Sequence, residues 1–263
     1  MANVPGATGL SSALRVVTVG TGTCGPRLDR RGPCVLVQGA GATVAVDLGL
    51  GALHGLLGAG VAHGDLDAVF LTHLHPDHTA ELVALLFAAN YDESPRRRPL
   101  TLVGGAGTGA FLAALEGAYG GWIDPKGYAR RIRQLEPGEE LAVGGLTCQT
   151  GLVRHLPSSL AYRFQANGRS VVVSGDTGFA PELARLARGV DLLLVEASLP
   201  ASGGCDVHLT AREAGLLARQ AGVGRLVLTH LYPSADADDP APRAAQAFGA
   251  PVDVAYDGME IEV

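Results

Sequence analysis

The chain has 263 residues and a formal net charge of −6, room for one sizeable α/β enzyme and no general attraction to polyanions. Hydrophobic residues make up 47% and charged residues 17%, which excludes a disordered chain, and no apolar run reaches the roughly 18 residues of a membrane span. Residues 1–13 read as a loose leader without the basic start and apolar stretch of a secretory signal, so a cytoplasmic protein is expected. Residues 14–20 are β-rich and run into the turn Thr21-Gly22-Thr23-Cys24-Gly25-Pro26. Segments 34–38 and 42–47, split by Gly39-Ala40-Gly41, predict a β-hairpin. A short helix over 51–57 and a buried strand over 68–72 follow; then come a histidine-rich loop and a helix over 79–89. The middle predicts a strand over 100–103, a helix over 108–119 and a Gly/Trp/Pro loop. Strands are expected over 130–135, 141–150, 161–165 and 171–173. The last third alternates: helix 181–187, strand 191–195, helix 210–220, strand 225–229, helix 241–248 and a final strand pair. A β-rich half passing into βα units predicts two packed sheets with helices outside, over one domain spanning 14–263.

Cys24, Cys34, Cys148 and Cys205 show no CxxC pair and no metal-finger spacing, so they read as reduced packing residues, a Cys24–Cys34 disulfide being the minor alternative. The arginines cluster at Arg27, Arg30 and Arg31, at Arg96 to Arg98, and at Arg130, Arg131 and Arg133. The last two clusters read as solvated loops. The first follows the turn after residue 20, which lacks the lysine and serine/threonine of a phosphate-binding loop. His54 and His63 read as surface or packing residues.

The strongest signal is His73-Leu74-His75-Pro76-Asp77-His78, placed directly after a buried strand. In extended backbone, residues i and i+2 point the same way, so His73 and His75 can grip one ion together. Pro76 restricts the chain, and the turn beyond it can present Asp77 and His78 to a second position. A lone histidine in an apolar stretch is usually a packed core residue. Three within six residues, with an aspartate, are hard to bury without a metal, and imidazole with carboxylate suits zinc. His155, Asp176 and His230 each fall at or just past the C-terminal end of a predicted strand, where loops carry function on a rigid scaffold.

The order HxHxDH, then His, then Asp, then His resembles the metallo-β-lactamase superfamily over essentially the whole chain. The resemblance implies an αββα sandwich, two mixed β-sheets with helices on the outer faces and metals at one edge. It implies two divalent ions per chain, zinc or alternatively manganese or iron. His73, His75 and His155 would bind the first, Asp77, His78 and His230 the second, with Asp176 bridging. Asp47, in Val46-Asp47-Leu48-Gly49, matches the family's first acidic motif and would orient a ligand histidine through its other ring nitrogen. Leu194-Val195-Glu196-Ala197-Ser198 and His208-Leu209-Thr210-Ala211-Arg212-Glu213-Ala214 resemble the ribonuclease Z branch, where the glutamate and histidine cooperate in protonating the leaving oxygen. Taken alone, Glu196 would read as a salt-bridged strand residue, and His208 as a helix-entry residue beside the capping Thr210.

The chain departs from tRNA-processing members. Those carry a long Gly/Pro/Lys-rich arm, whereas 120–138 is short and holds one lysine. The C-terminal half is closer to ribonuclease Z-like phosphodiesterases, some of which act on cyclic nucleotides. The expected catalytic residues are therefore Asp77, His208 and Glu196, acting on a small or cyclic nucleotide phosphodiester. A tRNA 3′-processing endonuclease is the alternative, with RNA the less favoured partner, and a metal-bearing non-catalytic binding protein is the reading from another class. A homodimer without membrane association is expected.

Overall fold

The computed structural model describes residues 13–263, so the predicted leader lies almost wholly outside the described residues. Two seven-stranded mixed sheets face each other. The first contains β1 (Arg15–Gly20), β2 (Cys34–Gly39), β3 (Ala42–Val46), β4 (Ala68–Phe70), β5 (Leu100–Gly104), β6 (Arg130–Gln134) and β14 (Met259–Glu262), in the order β14-β1-β2-β3-β4-β5-β6. The second contains β7 (Glu140–Val143), β8 (Leu146–Leu152), β9 (Leu160–Ala166), β10 (Arg169–Val173), β11 (Leu192–Glu196), β12 (Arg225–Thr229) and β13 (Val252–Val254), in the order β13-β12-β11-β10-β9-β8-β7. Each sheet is antiparallel on one side and parallel on the other: β3 to β6 and β10 to β13 run parallel.

Strand alternation explains the layers. Phe70 of β4 and Leu194 of β11 point between the sheets, where Phe70 meets Tyr162 and Phe164 edge-on at centroid distances of 5.1 and 5.0 Å. Val69 points outward under α1 (Ala52–Gly58), α3 (Leu82–Tyr91) and α4 (Thr108–Tyr119). Leu193 and Val195 point outward under α5 (Pro181–Leu186), α6 (Ala211–Ala221) and α8 (Pro240–Phe248). The short α2 (Pro76–Thr79) and α7 (Pro233–Asp236) lie between strand ends and the longer helices. This is the expected αββα sandwich.

Several local expectations are corrected. The run 141–150 is two strands, β7 and β8, because Gly144, at φ 57°, turns the chain back on itself. The helix expected over 79–89 is split: Glu81 N–H bonds Leu48 O at 2.9 Å, ending α2, and α3 starts at Leu82. The final strands do not pair with each other: β13 extends the second sheet and β14 the first. Arg96 is no solvated loop residue but 2% exposed, donating to the carbonyls of His63, Leu66, Arg98 and Pro99. All four cysteines are free, as expected, yet only Cys34 and Cys148 pack in the core; Cys24 and Cys205 are exposed.

The two sheets are joined at one edge. Tyr162 donates to Leu71 O at 2.7 Å and Leu160 N–H to Thr72 O at 2.9 Å. Gly175, at φ 60°, lies so close that a Cβ there would sit 2.6 Å from Thr72 Cβ. Only glycine lets the loop after β10 approach the loop after β4.

Candidate metal centre

All seven sequence-predicted ligands converge at this edge, each on a loop leaving a strand. The extended stretch after β4 carries His73 and His75, and α2, started by Pro76, carries Asp77 and His78. The loops after β8, β10 and β12 supply His155, Asp176 and His230. Two groups of donor atoms result: His73, His75, His155 and Asp176, and then Asp77, His78 and His230.

In the first group, His73 Nε2 and His155 Nε2 lie 3.0 and 3.2 Å from His75 Nδ1, and 3.8 and 4.0 Å from Asp176 Oδ2. In the second, His78 Nε2 and His230 Nε2 lie 3.8 and 3.7 Å from Asp77 Oδ2, and 3.3 and 3.4 Å from Asp176 Oδ1. Asp176 thus turns one oxygen to each group. Edges of ~3.3 Å are what tetrahedral bonds of 2.0–2.1 Å to zinc require.

The centre fits metal on a further count. His78 Nε2, His230 Nε2 and Asp176 Oδ1 are buried and have no hydrogen-bond partner. Leaving three such atoms unsatisfied costs about 1–3 kcal/mol each, and a cation between them answers all three. His73, His78, Asp176 and His230 are each no more than 5% exposed. Burial, reinforced by the charge of His78, drives the His73 imidazole down to about 2, so it presents a neutral lone pair. Burial opposes the ionised form of Asp176, but His230 and His78 hold it well below the usual carboxylate range.

The outer ring nitrogens are held as well. His78 Nδ1 lies 2.7 Å from Asp47 Oδ2, and Asp47 also accepts from Thr72 N–H and Thr72 Oγ1, each at 2.8 Å. Since the Thr72 hydroxyl donates to Asp47, its lone pair faces His73 Nδ1 at 3.1 Å. Asp47 therefore steers one histidine directly and a second through Thr72. His155 Nδ1 lies 3.2 Å from Val207 O, and His230 Nδ1 lies 2.9 Å from Ser198 Oγ. Sequence reasoning found Asp47 but missed Thr72 and Ser198, whose only signal is that they adjoin or follow a site residue by one or two positions.

Glu196, 0% exposed at the end of β11, gathers four donors. These are Thr177 N–H at 2.8 Å, Ser198 N–H at 3.1 Å, Leu209 N–H at 3.2 Å and His208 Nδ1 at 2.8 Å. The Glu196 hydrogen bond outweighs burial and raises His208 to about 9, which favours the protonated ring. That ring stands 5.1 Å from the His155 ring and 6.5 Å from the His230 ring. Thr210 next to it closes a reciprocal capping box with Glu213 at the start of α6. His54 is exposed and His63 pairs with Asp92 at 2.9 Å, both outside the centre.

Comparison with known proteins agrees with this geometry. The Beta-lactamase superfamily domain matches residues 51–231. An uncharacterized protein of Mycobacterium tuberculosis (strain ATCC 25618 / H37Rv) is 37% identical over 203 residues, covering 75% of this chain and 74% of that protein. Ribonuclease Z of Mycobacterium bovis (strain BCG / Pasteur 1173P2) is 31% identical over 280 residues, covering 95% of this chain and 98% of that protein. Among solved structures, the metallo-beta-lactamase fold protein YhfI from Bacillus subtilis superposes with a TM-score of 0.83 at 25% identity, covering 95% of this chain and 99% of that one.

Proposed function

Because this chain belongs to the metallo-β-lactamase superfamily, in its ribonuclease Z-like branch, we propose that it is a dinuclear metal-dependent phosphodiesterase acting on a small or cyclic nucleotide. His73, His75 and His155 would hold one ion, Asp77, His78 and His230 the other, with Asp176 between them. Two divalent cations bound there supply Lewis-acid polarisation of a phosphoryl oxygen and a means of ionising water near neutral pH.

The chain's own residues do the rest. Burial works to raise the Asp77 carboxyl, but the neighbouring imidazoles of His230 and His78 hold it below its ordinary value. It stays ionised and orients the attacking water. The observation that carries the reading is the His208–Glu196 pair, because a protonated imidazole fixed beside the ligand cluster serves a poor leaving group that must take a proton. Glu196 accepts from Nδ1, leaving Nε2–H to face the reaction and protonate the departing alkoxide. Thioester hydrolysis, whose thiolate leaves without protonation, gives this pair no task.

A tRNA 3′-endonuclease is the second reading, favoured by the 31% identity to a ribonuclease Z over 95% of the chain. Against it, only a single 3-10 turn (Gly120–Trp122) and a loop stand between α4 and β6. Hydrolysis of cyclic nucleotides, bis(p-nitrophenyl) phosphate and precursor tRNA by zinc-loaded protein, side by side, decides. Turnover of the small diesters with poor cutting of tRNA is expected, and the reverse pattern overturns the order.

A further inference from the structure

A cavity of about 470 Å³ opens from Asp77, and its lining includes neither His208 nor any ligand of the first group. Its wall is the turn after β1, faced by Leu50, Pro76 and Ala80. That wall is tied down from behind. Arg27 and Arg30 each reach Asp236 of α7 at 3.0 Å, Cys24 Sγ lies 3.3 Å from Tyr232 Oη, and Asp257 accepts from Thr21 N–H and Arg31 N–H. The cavity is therefore preformed rather than closed by a lid, as small-molecule sites usually are.

Its chemistry is selective. Three arginines line it, yet each already has a carboxylate: Arg27 has Asp29 and Asp236, Arg30 has Asp236, and Arg31 has Asp257. A run of phosphates finds no unpaired guanidinium there, and a guanidinium already neutralised adds little to polyanion binding. The remaining surface is largely apolar, with Pro26, Pro76, Ala80 and a Leu50 that is 57% exposed, and Thr23, Cys24 and Asp77 are its polar side chains. A largely apolar cavity with a few polar side chains in its lining suits a heterocycle, whose faces are apolar and whose edge carries ring nitrogens and carbonyls. About 470 Å³ falls within the range of small-molecule sites, on the order of 300–1,000 Å³, and cannot take a folded RNA.

We infer that this cavity receives the heterocyclic base of the nucleotide whose phosphodiester lies at the ligand cluster. The placement of the phosphate rests on the phosphodiesterase reading; the base-binding character of the cavity does not. The ribose spans from the cavity to the ligand cluster, and the ester oxygen that leaves is turned toward His208. Selection of nucleotides over simple diesters thus arises from the loop after β1, and the arginines there serve as struts.

Ala80 is exposed at the cavity rim, so Ala80→Trp fills the space without disturbing the core. Steady-state kinetics with 3′,5′-cyclic AMP and with methyl p-nitrophenyl phosphate, which carries no base, compare the variant with wild type. The KM for cyclic AMP should rise about tenfold, the factor lost with roughly 55 Å² of apolar contact. The KM for the methyl ester should stay within about twofold of wild type at unchanged metal content, the spread expected for a change outside its contacts. A second readout needs no turnover. In a Cys205→Ser background Cys24 is the exposed thiol, and AMP should slow its alkylation by iodoacetamide about elevenfold at ten times Kd. Unchanged cyclic AMP kinetics in Ala80→Trp with no protection of Cys24, or equal losses on both esters, overturn the inference while leaving the phosphodiesterase intact. A metal-loaded protein that cleaves neither diester yet shows Cys24 protected by AMP overturns the proposed activity and leaves the cavity assignment standing.

Discussion

Replacing Asp47 by asparagine tests how the centre is organised, because the change removes one charge and almost no volume. The backbone there has φ 61°, a left-handed conformation that asparagine tolerates, so no strain is added. The native carboxylate accepts three hydrogen bonds, Thr72 N–H on Oδ1 and Thr72 Oγ1 with His78 Nδ1 on Oδ2. An amide has one oxygen. Whichever way it turns, its NH₂ group faces at least one donor, and the charge assistance to His78 is lost. A hydrogen bond to a charged group contributes about 1.5–3 kcal/mol, which equals roughly 10- to 100-fold in metal affinity, the usual effect of losing a carboxylate behind a ligand histidine. Since Thr72 relays Asp47 to His73, both ions should weaken. Ser198→Ala supplies the contrast: a neutral hydroxyl behind His230 contributes about 1 kcal/mol, or some fivefold. Competition of each variant with a chromophoric zinc chelator measures both, with circular dichroism to check the fold. Asp47→Asn binding zinc within about twofold of wild type, or less affected than Ser198→Ala, would refute the reasoning that charge behind the ring sets affinity.

Asp176→Ala should lower occupancy at both positions, since one oxygen faces each group; elemental analysis showing a single site fully occupied would sink the bridging role. His208→Ala should keep its metals but lose about 10²- to 10⁴-fold in turnover on an alkoxide leaving group and far less on p-nitrophenol. Equal losses on the two leaving groups would contradict proton donation. KM for a small diester should change little between low and physiological salt, because few phosphates are neutralised, and a steep salt dependence would favour the RNA reading.

The donor cluster was legible because its core is local and chemically unusual: three imidazoles and a carboxylate in the six residues from His73 to His78 have few other uses. The sandwich was legible from strand alternation, in which Val69 and Phe70 serve opposite faces. What escaped the sequence depends on partners far along the chain. Arg96 resembles its exposed neighbours Arg97 and Arg98, and only the carbonyls of His63 and Leu66, contributed by another loop, make it a core residue. The division at Gly144 needs a positive φ that many glycines adopt and few require. The pairing of β14 with β1, closing the first sheet with the last strand of the chain, carries no local signal at all.

The arrangement of the centre follows from joining two sheets at one edge. Loops from the first sheet contribute His73, His75, Asp77 and His78, and loops from the second contribute His155, Asp176 and His230. Neither sheet can build either ligand group alone, since each group holds residues from both. Each sheet also supplies one buried carboxylate at the end of a central strand: Asp47 after β3 and Glu196 at the end of β11. Asp47 fixes rings His78 and, through Thr72, His73. Glu196 fixes His208, the backbone of Thr177 beside Asp176, and the backbone of Ser198, whose hydroxyl steers His230. A shift of one sheet against the other would therefore disturb the clustered donor atoms, their orienting groups and His208 together. That coupling gives a physical reason for the close approach at Gly175 and Thr72 and for the left-handed backbone at Asp47 and His230. Strain of about 1–3 kcal/mol at each non-glycine position persists where the surrounding hydrogen bonds over-determine the geometry.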